Sequence, residues 1–160
     1  MFFGMYRNRD PFNVQGKRNV DNADRWEYNC GGYALGLFSW YCPYDRETEQ
    51  NEWGDYTEIF TMEKVCRLTY TCVDFMLQDF NGRLREIGSL CELASDEHAI
   101  AFRLATDSDF HFVRRSRSGQ WFHKRGNNPR IETMPEEEVF SKGWCFGMYN
   151  GPLVLLALKD

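Results

Sequence analysis

HAIAFRLATDSDFHFVRRSRSGQWFHK, residues 98–124, is the stretch that decides the fold. Apolar and polar residues alternate along it at a period of two, the mark of half-buried strands. His98 to Leu104 reads as one strand, Asp107-Ser108 as a turn and Phe110 to Arg115 as a second strand. Ser116-Arg117-Ser118-Gly119 then reads as a hairpin turn and Gln120 to Lys124 as a third strand. These strands form an antiparallel meander. Downstream, Gly126-Asn127-Asn128-Pro129 is a loop, Met134 to Glu138 makes one helical turn, and two further strands run through Gly143 to Met148 and Leu153 to Leu158. Upstream, Leu84 to Leu93 mixes alternation with short apolar steps and reads as strand or loop.

Before that point the period changes. Thr61 is a good N-cap, and Met62, Val65, Cys66, Thr69, Val73, Met76 and Phe80 share one face of a helix that Asn81-Gly82 stops. Its apolar face suits it to covering the sheet. Cys30, Tyr33, Ala34, Leu37, Phe38 and Tyr41 recur at steps of three and four and predict a first helix, ended by Pro43. Between the helices, Tyr44 to Tyr56 has the composition of a solvated loop. Residues 1 to 29 hold no sustained period and read as an irregular arm on the body. The expectation is one α+β domain over residues 1–160, with N-terminal helices packed on an antiparallel sheet of about five strands.

Composition narrows the function. The chain has 160 residues, 42% of them hydrophobic and 16% aromatic, enough apolar material for a real core. The net charge of −5 gives no general field to attract a phosphate backbone, so nucleic acid is not an expected partner. The longest apolar run, Leu153 to Leu158, falls far short of the roughly 20 residues of a membrane-spanning helix, so no membrane insertion is expected. Met1 to Arg7 lacks the pattern of a secretory signal, which makes the cytoplasm the default compartment, with release by lysis or a secretion system as the other routes. The six cysteines, Cys30, Cys42, Cys66, Cys72, Cys91 and Cys145, are then expected to stay reduced. No C-x-x-C pair and no His-x-x-x-His spacing is present, so a structural zinc site has little support, and no cofactor is expected.

Cys30 has a setting the other cysteines lack. It begins a helix after a polar loop, with Gly31 and Gly32 keeping bulk away. Free N–H groups at a helix start favour a thiolate and hold an oxyanion, so the position predicts a lowered thiol pKa. The hairpin supplies a base. With its turn centred on Arg117, Arg115 faces Gly119, Val113 faces Trp121, and His111 faces His123. Directly opposed side chains have Cβ atoms about 5 Å apart, within reach of a bond between ring nitrogens. A slip of one residue would send His123 to the opposite face, where Phe110, Phe112 and Phe122 read as core. A thiol, an imidazole and a second imidazole orienting the first follow the logic of nucleophile, general base and orienter. His98, at the start of the preceding strand, receives no role.

The order Asn29-Cys30-Gly31-Gly32-Tyr33-Ala34-Leu35, then Asp109-Phe110-His111-Phe112-Val113-Arg114, then Gly119-Gln120-Trp121-Phe122-His123-Lys124 resembles the papain-like cysteine peptidase superfamily, and within it the NlpC-type branch. The resemblance covers about residues 25 to 125. It implies a papain-like fold with Cys30 as nucleophile, His111 as base and His123, 12 residues on, as orienter. Asn29-Cys30 is also similar to the lecithin:retinol acyltransferase-like relatives, which adds acyl transfer to the chemistries implied.

The site then attacks an amide or ester carbonyl, and water or an amine or alcohol resolves the thioester. Asn29 and Asp24 are candidates to support the oxyanion, and Tyr28 and Trp26 to line the acyl side of the cleft. The expected substrate is a peptide, a protein or a peptidoglycan stem. An acyltransferase or deamidase on the same scaffold, and a non-catalytic module of a phage or host, remain the competing classes. The basic residues Arg114, Arg115, Arg117, Lys124 and Arg125 cluster around the hairpin, either to read an acidic substrate or as a solvated turn.

Overall fold

The computed structural model describes residues 29–37, 40–43, 59–125 and 131–159. The proposed arm up to residue 28, the 44–56 loop and the Gly126-to-Pro129 loop lie outside these residues. Among these residues three α-helices, α1 (Cys30–Ala34), α2 (Met62–Asp79) and α3 (Glu136–Val139), accompany six strands: β1 (Leu84–Ile87), β2 (Glu97–Leu104), β3 (Phe110–Arg115), β4 (Trp121–Lys124), β5 (Ile131–Met134) and β6 (Val154–Lys159). The strands form one antiparallel sheet in the order β1-β6-β2-β3-β4-β5. The class is α+β. None of the described helices is long and apolar enough to cross a membrane.

The long helix forms where its caps dictate. Thr61 Oγ1 accepts a hydrogen bond from Lys64 N at 3.1 Å, and Gly82, at φ +81°, turns the chain away after the last turn. Val65, Leu68, Thr69, Cys72, Val73 and Met76 are buried, whereas Met62 is exposed.

The first helix is shorter than its periodicity predicts. It ends at Ala34, and Gly36 at φ +73° turns the chain out of helical geometry. Leu37 and Tyr41 still pack on the same core. Their spacing records a shared apolar environment, which a chain folding back over α1 supplies as well as a continuous helix does.

Six strands replace the expected five. Ile131–Met134 and Leu84–Ile87 are strands, whereas 143–148 is a turn closed by a single bridge between Trp144 and Tyr149. The β3–β4 register is also corrected: Arg115 pairs with Trp121 and Arg114 with Phe122. The connecting loop is wider than a tight turn because Ser116 N donates to Gln120 O at 2.7 Å and the Ser116 hydroxyl accepts from Gln120 N at 3.2 Å. Relative to the expected pairing the strand has slipped by two residues, and an even slip leaves every side chain on its face.

Both faces of the sheet are covered. On one, Ile100, Phe102, Leu104, Phe112, Leu156 and Leu158 pack with α2 and with Cys30, Ala34 and Leu35. On the other, Ala99, Ala101, Val113, Trp121, Met134, Leu155 and Ala157 pack with Val139 and Trp144. Arg103 anchors that second layer. Its guanidinium donates to the carbonyls of Gly151 (2.8 Å), Lys142 (3.3 Å), Val139 (3.4 Å) and Ser141, and lies 5.1 Å from the centre of the Trp144 ring.

Candidate active site

Asn29 ties α1 to the rest of the protein. Its Oδ1 caps the helix by accepting from Gly32 N at 3.0 Å, and accepts a second bond from Tyr41 N at 3.0 Å. Its Nδ2 donates to Tyr41 O, also at 3.0 Å. The Tyr41 hydroxyl in turn donates to Asp79 on α2 at 2.7 Å. The buried amide therefore clasps the start of α1 to the segment that returns over it. Asn29→Ala removes the cap and strands the Tyr41 backbone groups. We expect a loss of about 2 kcal/mol in urea unfolding, from a cap and a buried hydrogen-bond set each contributing about 1 kcal/mol.

Gly31 sets how closely α1 meets β3. A Cβ there would come within 2.9 Å of Tyr41 O and 3.2 Å of the Phe112 ring. The close approach brings Cys30 beside the first residue of β3. The sulfur lies 4.0 Å from Phe110 O, and only 4% of the residue is exposed. Burial pushes the thiol up to about 12, despite backbone hydrogen bonds from Phe112 and Gly31 and the charge of Lys124 that favour the thiolate. The expected lowering is therefore overturned. A helix of five residues adds little field, and desolvation outweighs it.

The two histidines meet, although the observed register does not set them directly opposite one another as expected. His111 Nε2 and His123 Nδ1 are 2.8 Å apart, with the rings nearly perpendicular at 81°. Both residues are buried. Burial first, then His123 and Arg125, holds His111 well below the usual histidine range, and burial also lowers His123 against the opposing charge of Glu132. The pair is neutral at pH 7.

This carries a sign for stability. Below 6.5 the unfolded chain takes up protons that the native pair refuses, so stability falls as pH drops, by up to about 1.4 kcal/mol per pH unit for each imidazole. Urea unfolding at pH 7.5 and 5.5 should give a flatter dependence for His111→Gln/His123→Gln than for the native sequence. Parallel slopes would contradict it.

Cys30 is not bonded to either imidazole among the described residues. Phe110 and Phe112 point to the α1 side of β3, and His111 to the side of Trp144 and Tyr149. Thiol and base thus reach the start of β3 from its two faces. Tyr28, Trp26 and Asp24 lie outside the described residues. His98 pairs with Leu158, at the other end of β2 from the Arg103–His111 pair.

The basic residues divide rather than cluster. Arg114 and Lys124 are fully buried on the α1 side, Arg114 stacking over the Tyr33 ring at 5.8 Å. Arg117 is exposed at the turn, and Arg125 forms an ion pair with Glu132 at 3.4 Å. Burial brings Lys124 down to about 8.

Sequence reasoning missed Tyr149 and gave Asp109 no separate role. The Tyr149 ring stacks on His111, centroids 5.0 Å apart, and its hydroxyl donates to Asp109 Oδ2 at 2.9 Å. Among the described residues no group of three or more His, Cys, Asp or Glu side chains is arranged to hold a metal ion. Comparison with family models, with curated proteins and with solved structures finds no match.

Proposed function

We propose that the protein is a papain-like cysteine hydrolase that cleaves an amide or peptide bond, with Cys30 as nucleophile, His111 as general base and His123 as its orienter. The observation that carries this reading is the 2.8 Å contact between His111 Nε2 and His123 Nδ1 beside a helix that begins with a cysteine. The contact makes one ring nitrogen of the pair the donor and the other the acceptor. With the proton on His111 Nε2, donated to His123 Nδ1, the Nδ1 of His111 is left as an acceptor.

The resting site then holds a thiol and a neutral imidazole. For the reaction the Cys30 sulfur has to leave Phe110 O and come within reach of His111 Nδ1 across the start of β3. The S–H proton passes to Nδ1 as the C–S bond forms, and the carbonyl π electrons move onto oxygen, which the backbone N–H of Cys30 at the helix start stabilises. Collapse expels the amine, which takes the proton from His111. Water then attacks the thioester and loses a proton to the same nitrogen; the C–S bond breaks, the acid leaves, and the proton returns from His111 to the Cys30 sulfur. A peptide, a protein segment or a peptidoglycan stem peptide has the bond this chemistry requires.

The test is digestion of a mixed synthetic peptide library, peptidoglycan stem peptides included, with and without a primary amine, read by mass spectrometry. We expect new free carboxyl termini with the native sequence and none with Cys30→Ser. Amine adducts in their place would make the protein a transferase. Cleavage that persists in Cys30→Ser, or no product at all, would overturn the assignment.

A further inference from the structure

Asp109 links the two halves of the candidate site. Its Oδ1 accepts from Phe110 N at 2.8 Å, and the carbonyl of the same Phe110 faces the Cys30 sulfur. Its Oδ2 accepts from the Tyr149 hydroxyl at 2.9 Å, and the Tyr149 ring lies over His111 with an interplanar angle of 24°. One carboxylate therefore joins the peptide beside the thiol to the aromatic ring that covers the base.

The turn that carries Tyr149 is costly to form. Cys145 and Phe146 hold φ of +53° and +59° and are followed by Gly147 at +83°, three consecutive left-handed residues of which only one is glycine. Such conformations are strained for ordinary side chains and persist where the surroundings over-determine them. Here they leave Phe146 fully exposed, so packing of that side chain does not hold the turn. Among the bonds that hold it are the Trp144–Tyr149 bridge, Cys145 N donating to Glu138 Oε2 at 3.0 Å, Trp144 Nε1 donating to Val139 O at 3.0 Å, and Arg103 on the carbonyls to either side. The turn so held carries Tyr149 to its place over His111.

We propose that Tyr149, latched by Asp109, is a positioning residue that locks the plane of the His111 ring and, through it, the hydrogen bond to His123 that sets the His111 tautomer. The proposal rests on the cysteine-hydrolase reading for its purpose, though the lock itself does not depend on it. A parallel aromatic stack fixes the imidazole plane while the His123 bond fixes rotation within it. The hydroxyl bond to Asp109 stops the phenol ring from sliding off.

The test compares Tyr149→Phe, Tyr149→Leu and Asp109→Asn with the native sequence by two measurements. One is the rate at which p-nitrophenyl acetate acylates Cys30. The other is the pair of imidazole ¹⁵N signals of His111, which report its tautomer. Leucine keeps bulk but loses the stack, and we expect acylation to slow by about 10- to 100-fold and the His111 nitrogens to move towards averaged values. Phenylalanine, which keeps the ring, should restore the native ¹⁵N pattern and most of the rate, with Asp109→Asn between the two. Native ¹⁵N signals in a folded Tyr149→Leu variant would overturn the proposal, as would equal damage by phenylalanine and leucine. If Cys30 is not acylated even in the native sequence, the hydrolase reading fails, and the ¹⁵N signals still decide whether Tyr149 locks the ring.

Discussion

Replacing His111 by alanine is expected to slow acylation of Cys30 by about 10²–10⁴-fold, the usual contribution of a positioned general base. The size follows from the resting state. Because burial pushes the Cys30 thiol up to about 12, almost no thiolate exists at pH 7, and a nearby base must take the proton as the bond forms. A pre-ionised thiolate would lose far less. His123→Ala should cost less, about 10- to 100-fold, because it removes the partner that orients His111 and leaves the base in place. Stopped-flow release of p-nitrophenol, with quantitation of the thioester on Cys30, gives both numbers.

Phe112→Ala is expected to be the most damaging of the substitutions considered for stability, at about 3–5 kcal/mol. The ring is fully buried and packs against Phe102 (centroids 4.8 Å), Phe110 (6.0 Å) and Tyr41 (6.3 Å), with Gly31 of α1 pressed against its edge. One side chain thus joins the sheet to α1 and to the segment Asn29 clasps. Its removal opens a cavity at that junction, so α1 should loosen before the rest of the protein. A chain of this length should lose about 10 °C or more in Tm. Hydrogen exchange should show the Tyr33, Leu35 and Leu37 amides, bonded to carbonyls at positions 29 to 32, losing protection first. Phe112→Leu, which refills most of the space, should restore much of both.

Much of this architecture is legible in local chemistry. Thr61 and Asn81-Gly82 bracket α2 because caps act within a few residues, and the strands of 98–124 show because alternation needs only their own side chains. What was illegible depends on distant partners. The β3–β4 register turned on one Ser116 hydroxyl widening a loop that otherwise reads as a tight turn. Ile131-Glu132-Thr133-Met134 is a strand because β4 offers it an edge, and two apolar residues gave too little period to find it.

The candidate site divides in the same way. The His111–His123 meeting survived a wrong register because the slip was even. The Cys30 thiol did not follow its helix position, since its environment is made by Phe110, Phe112 and the core behind them. Tyr149 was invisible because 26 residues separate it from His123, and a turn with no strand pattern brings it to His111.

The most direct test of the account is to treat the native sequence, Cys30→Ser and His111→Ala with p-nitrophenyl acetate and map the acyl group by peptide mass spectrometry. The exposed Cys42 and Cys91 act as references within each sample. We expect rapid acylation of Cys30 in the native sequence, loss of that advantage in His111→Ala, and unchanged labelling of Cys42 and Cys91 throughout. Acyl groups on Cys42 and Cys91 with Cys30 untouched, or a Cys30 rate indifferent to His111, would contradict it.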